Sequence, residues 1–126
     1  MAATLVPMRA TEATVVDLVT YRRDGRPVHT PVLSTPRGAA LIIRTHHTAG
    51  KLKRLANNPS VQVAPCDGRG RLLGDPQTGT GTILPEAETA LCLDLLHQRH
   101  GLVGRGATWL RHARRMRDVF IEVRLT

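Results

Sequence analysis

Residues 45–59, Thr-His-His-Thr-Ala-Gly-Lys-Leu-Lys-Arg-Leu-Ala-Asn-Asn-Pro, are dense in side chains able to bind an anion. Leu52, Leu55 and Ala56 fall at helical spacing and give a short helix one apolar face. Lys51 and Arg54, three apart, share another face. Asn57-Asn58-Pro59 ends the helix, because the residue before proline avoids helical geometry. The start of this helix is electrostatically odd. A helix N-terminus carries free N–H groups and partial positive charge, so Lys51 and Lys53 in the first turn each cost roughly 0.3–1 kcal/mol. A bound phosphate or carboxylate reverses that sign. Lys51 and Lys53 are also the chain's only lysines; the other cations among its 18 Lys and Arg are arginines. The stretch is therefore either an anion site or a solvated basic face.

Other reactive side chains carry less. His46 and His47 flank the basic stretch as anion contacts or exposed loop residues, and His29 lies in a strand as a pocket wall. Cys66 and Cys92 stand apart with no metal-ligand spacing, which reads as ordinary thiols in a reducing cytosol. No nucleophile motif such as G-x-S-x-G is present. Between Arg99 and Arg117 lie six arginines and no acid. Arg111, Arg114 and Arg115 would share a helix face there, as a carboxylate receptor or a solvated surface.

Composition narrows the partner. A formal charge of +8 calls for something anionic. Aromatics make up only 2% of the chain, which disfavours single-stranded nucleic acid, whose binders stack bases on aromatic rings. No apolar run approaches the ~20 residues of a membrane span, and no signal-peptide pattern precedes the first strand. The expected location is the cytoplasm. At 126 residues the expectation is a single domain over 1–126, with 1–13 an N-terminal arm or short helix.

Six stretches read as strands: 15–21, 26–35, 39–45, 60–66, 77–84 and 118–125. Asp24-Gly25 marks a hairpin between the first two, and Thr35-Pro36-Arg37-Gly38 the next turn. Pro27 and Pro31 demand an edge or bulge in the second strand. The glycines of the fifth imply close backbone approach, by a ligand or at a barrel corner. Pro85 opens a helix to about His100 with Ala87, Leu91 and Leu95 on its apolar face and Gly101 as its stop. Residues 101–106 read as flexible and 107–117 as a further short helix. The expected fold class is mainly β: a six-stranded antiparallel split β-barrel with inserted helices, one crossing between the third and fourth strands.

Taken in order, Val19-Thr20-Tyr21-Arg22-Arg23-Asp24-Gly25-Arg26-Pro27-Val28, Gly50-Lys51-Leu52-Lys53-Arg54-Leu55 with Asn58-Pro59, and Ala64-Pro65-Cys66-Asp67 resemble the flavin and deazaflavin split-barrel proteins related to pyridoxamine 5′-phosphate oxidase. The similarity spans about residues 15–125 and points to the actinobacterial branch that uses coenzyme F420. It implies an enzyme, a reductase carrying hydride from the reduced deazaflavin to a small conjugated acceptor, with FMN as the alternative cofactor and a non-catalytic binder as the third possibility. It implies a homodimer with the cofactor in a groove between subunits, no membrane partner, and a phosphate held by Arg44, Thr45, Gly50 and Lys51. Thr30, Pro31 and Val32 would run along the ring and offer backbone hydrogen bonds. Gln77 would reach it from the neighbouring subunit, and Arg54 is a second-line anion contact. Chemistry on the cofactor leaves the catalytic residues unassigned. Tyr21 is a proton-donor candidate, set against a structural tyrosine making a fixed hydrogen bond. Leu33, where relatives carry a bulky aromatic, implies a more open pocket, as do the short turn at 34–38 and the truncated N-terminal helix.

Overall fold

The computed structural model describes residues 9–126. Its strands are β1 (Val15–Tyr21), β2 (Pro27–Arg37), β3 (Ala40–His46), β4 (Ser60–Cys66), β5 (Gln77–Ile83) and β6 (Asp118–Leu125). Helix α1 (Gly50–Asn57) joins β3 to β4, and α2 (Thr89–Ala113) joins β5 to β6 after a 3₁₀ turn at Glu86–Glu88. The strands close into an antiparallel barrel in the order β1-β2-β3-β6-β5-β4. The expected mainly-β split barrel is the fold observed. Of the expected arm or short helix at 1–13, residues 1–8 lie outside the described region. Residues 9–13 form a turn that tucks Ala10 and Ala13 into the core.

The barrel interior is filled by small aliphatics: Val16 and Leu18 of β1, Leu41 and Ile43 of β3, Val61 and Val63 of β4, Ile121 and Val123 of β6. A second cluster lies outside the barrel wall, where Ile42 and Phe120 meet Cys92 and Leu96 of α2. Strand β6 alternates, with Phe120 turned to the helix and Ile121, Val123 and Leu125 to the interior. The apolar face of α2 differs from the expectation by one position. Cys92 and Leu96 are buried, and Leu91 is exposed. Leucines occupy several sides of this helix, so periodicity alone does not select the buried side.

β2 runs to Arg37, through the expected turn. The ladder's parity explains why three prolines fit. Ser34 donates its N–H to Thr14 and Arg22 donates to Arg26, so the hydrogen-bonded pairs between β1 and β2 include Val16 with Val32 and Leu18 with Thr30. Pro27 and Pro31 sit at the alternate positions, where an N–H would point away from β1. Pro36 has the parity of Ser34, so its nitrogen faces the side where β1 has not yet begun. No ladder bond is lost at any of them.

Residues 101–106, expected to be flexible, are helical. Gly101 does break the helix, at φ 58° and ψ −133°, and α2 resumes to Ala113. The glycines of β5 answer to the barrel itself. A Cβ on Gly79 would stand 2.8 Å from the Arg124 carbonyl oxygen, and one on Gly81 3.0 Å from Leu55 Cδ2. Cys66 and Cys92 are buried free thiols, pushed up in pKa by burial.

Candidate functional site

The barrel is closed unevenly. β2 pairs with β1 over Pro27–Leu33 but with β3 only over Ser34–Arg37. β3 continues to His46 against β6 alone. Between the first half of β2 and the end of β3 the wall is therefore split. The second half of α2 lies over the gap, leaving a cavity of about 380 Å³ lined by Val32, Leu33, Arg44, Leu110, Arg111 and Arg114. Ligand pockets span roughly 300–1,000 Å³. This one is apolar along β2 and cationic on the side of β3 and α2.

Arg44, Lys51 and Arg54 are each held by a threonine hydroxyl, not a carboxylate. Arg44 donates to Thr108 Oγ1, Lys51 to Thr45 Oγ1 at 3.3 Å, and Arg54 to Thr20 Oγ1 at 2.7 Å. Burial pushes all three pKa values down. Lys51 is further depressed by Arg54 and Arg111, so it lies within the field of both. The Asp118 carboxylate partly offsets the effect of burial on Arg44, but it already binds Arg111 Nε at 2.9 Å. A half-buried cation without a counter-charge is unfavourable in isolation. The same arrangement is favourable once an anion arrives. The helix start adds to it: α1 has Ala49 at its N-cap, no side-chain cap and no acid in its first turn.

A second basin of about 600 Å³ lies between the β1–β2 hairpin and α1, lined by Tyr21, Arg22, Arg23, Gly50, Lys53 and Arg54. The residues expected from sequence thus fall into groups. Val32 and Arg44 line the split, Gly50 and Arg54 line the hairpin basin, and Thr45 with Lys51 stands between. Thr30 and Pro31 adjoin the split on β2. By parity the polar backbone groups of Thr30 and Val32 are spent on β1. The expected hydrogen bonds along this strand thus reduce to the Pro31 carbonyl and the backbone groups of His29. Gln77 begins β5, opposite Val63 and across the barrel from the split, so one chain does not bring it to the others.

Further expectations resolve differently. Tyr21 lines the hairpin basin, but its hydroxyl makes no hydrogen bond among the described residues, so the expected structural bond is not formed. The exposed ring of His29 binds the buried Asp17 carboxylate at 2.7 Å. His46 lies beside the cations, its pKa lowered by burial, Arg111 and Lys51. Arg115 leaves the presumed shared face, since α2 ends at Ala113 and Arg115 takes φ 58°. Thr108 and Asp118 also belong to the site, and no sequence signal marks them. Nothing local marks a threonine 64 residues away as a partner of Arg44. Among the described residues no group of three His, Cys, Asp or Glu side chains could hold a metal, and no helix is long and apolar enough to cross a membrane.

A closed six-stranded barrel split between β2 and β3, with an apolar slot and a cationic rim, defines the split-barrel fold. No family model matches the chain, nor does any curated protein. Solved structures do match. An F420 reductase superposes with a TM-score of 0.62 at 19% identity, covering 98% of this chain and 96% of that one. A FAD-binding protein from Mesorhizobium loti gives 0.58 at 19% identity over 91% and 81%. A protein of Listeria innocua assigned as a pyridoxamine 5′-phosphate oxidase gives 0.58 at 12% over 92% and 86%. These neighbours are the flavin and deazaflavin split barrels that the sequence motifs resemble, and at such identities the likeness establishes the fold.

Proposed function

We propose that this protein is a coenzyme F420-dependent reductase that passes hydride from the reduced deazaflavin to a small conjugated acceptor, and that it works as a homodimer. One observation carries the reading: the side chains of Arg44 near the end of β3 and Lys51 in the first turn of α1, both half-buried, have threonine hydroxyls as their only hydrogen-bond partners among the described residues. The residues fit the group. Arg44, Thr45, Lys51 and the free N–H groups of α1 would hold its phosphate. Val32, Leu33 and Leu110 offer an apolar wall to a planar ring. Arg54 and its neighbours in the hairpin basin extend the positive field to further anionic groups.

When bound, the reduced deazaflavin supplies the hydride. The chain's own part is to bind, orient and exclude water. Lys51 and Arg44 fix the anionic end, and the slot at Val32 and Leu33 desolvates the reacting end. Gln77, across the barrel, would reach this site only from a second copy, the arrangement that the resemblance implies.

FMN is the second reading, because a phosphate clamp of this kind does not tell a flavin from a deazaflavin. Fluorescence titration of the purified chain with F420 and FMN separately decides. Binding of F420 at least about tenfold tighter than FMN supports the proposal; the reverse order assigns the flavin. Affinity for neither overturns both and leaves a basic barrel. Sedimentation equilibrium giving a monomer overturns the dimer alone.

A further inference from the structure

The second half of α2 presents two unlike faces. Gly104 is buried against Leu96 and His100 of the first half of α2, Thr108 is buried on Arg44 of the barrel, and Arg111 follows on the same side with its Asp118 pair. The opposite side carries Leu102, Val103, Trp109 and Leu110, exposed at 87%, 72%, 72% and 45%. Helical spacing places Leu102, Gly106, Trp109 and Ala113 in one row, with Val103 and Leu110 beside it. Arg105 borders one edge of this stripe and Arg114 the other. Neither makes an ion pair among the described residues, and no acid occurs between Asp94 and Asp118. Isolated exposed leucines are ordinary, but contiguous exposed apolar residues rimmed by one sign of charge mark a docking face.

We propose that this face of α2 docks on an anionic lipid surface. Its chemistry selects among occupants. A second copy related by a two-fold axis would set the stripe against itself and bring arginine rims together without a carboxylate between them. Nucleic acid would engage the arginines but leave Leu102 and Val103 in water. A bilayer containing anionic headgroups takes both, burying Trp109 and the aliphatics at the acyl boundary while the arginines meet phosphate. The helix then lies in the plane of the interface and crosses nothing. Leu110 and Arg114 border both this face and the split, so the stripe adjoins the cofactor site of the proposed function, while Leu102, Val103, Arg105 and Trp109 stand clear of it.

The test is direct, because Trp109 is the chain's single tryptophan and its emission reports this face alone. The full chain is mixed with vesicles of phosphatidylcholine, or of phosphatidylcholine with phosphatidylglycerol. Expected are a blue shift of Trp109 emission and co-sedimentation with the anionic vesicles only. Arg105→Glu/Arg114→Glu should weaken that binding at least about tenfold. Leu102→Ser/Val103→Ser should abolish the blue shift while circular dichroism and melting stay as in the parent. Three results overturn the proposal. One is no association with vesicles of either composition. Another is an equal Trp109 response to double-stranded DNA at the same salt. The third is a Trp109 shielded from acrylamide without vesicles, whether in a dimer that Leu102→Ser/Val103→Ser dissociates or in a monomer whose own chain covers the face.

Discussion

The ammonium of Lys51 donates to the hydroxyl of Thr45 across 3.3 Å, and no carboxylate shares it. A neutral partner leaves most of the desolvation cost of the charge in place, which is why its pKa falls. Two opposite effects of Lys51→Met follow. Removing an uncompensated, half-buried charge should raise the stability of the ligand-free protein by roughly 1 kcal/mol. Removing a charge-assisted hydrogen bond should weaken cofactor binding by about 1.5–3 kcal/mol. The linkage sign gives a third reading. A depressed lysine pKa means the folded state sheds its proton first, so stability rises with pH in the alkaline range, and the variant should lose that slope. Thermal unfolding across pH and a cofactor titration check all three; an unchanged dissociation constant removes Lys51 from the site.

Arg37 ties the helix to the barrel. Its guanidinium donates to Glu122 at 2.6 Å and to Glu88, just ahead of α2, at 3.1 Å. Arg37, and after it Arg124, hold the Glu122 carboxyl below its usual range. The stability from a depressed acid is complete above the unfolded value, ~4.3, and is lost as pH falls through the folded one. Melting temperature should therefore drop in acid for the parent and less for Glu122→Gln. Arg37→Ala should cost about 1.5–3 kcal/mol at neutral pH. Parallel acid profiles for parent and Glu122→Gln would contradict the assignment.

How much of this was visible in the sequence depends on how local the cause is. The span of β1 is legible because its β-branched run ends at the Asp24-Gly25 hairpin, whose glycine adopts φ 89°. The end of β2 is not, because Thr35-Pro36-Arg37-Gly38 has turn chemistry, and the parity that makes Pro36 harmless depends on where β1 begins. Likewise Arg44 and Lys51 stand out as cations without nearby acids. Their satisfaction by Thr108 and Thr45, and the competition of Asp118 for Arg111, arise only when α2 folds back over the split.

Gly79 and Gly106 should respond oppositely to alanine. At Gly79 the new Cβ meets the Arg124 carbonyl oxygen at 2.8 Å, a backbone atom that cannot swing aside. Strand β5 or β6 must shift, at a cost of about 1–3 kcal/mol. At Gly106 nothing lies within 4 Å, and alanine in a helix is better than glycine by roughly 0.5–1 kcal/mol. Chemical denaturation of the two variants should move the midpoints apart. A tolerated Gly79→Ala would show that the β5–β6 approach is looser than described.

Arg111 and Asp118 form the pair on which the cationic rim turns. The Asp118 side chain is 2% exposed, bound by Arg111 Nε at 2.9 Å, with His112 Nε2 at 3.4 Å from its other oxygen. Arg111 Nη2 is also buried without a hydrogen bond. Breaking such a pair from one side strands a buried charge, so Arg111→Met should cost about 3–5 kcal/mol. Removing both charges relieves that penalty: Arg111→Met/Asp118→Leu should recover most of the loss, a coupling that a double-mutant cycle reads directly. The rim makes a further distinction. Asp118 raises the pKa of Arg44, so Asp118→Asn should make the split more positive, destabilising the ligand-free protein while tightening its hold on an anion. If Asp118→Asn instead weakens cofactor and anion binding while the fold stays intact, the carboxylate is orienting the arginines, and its role as their competitor is excluded.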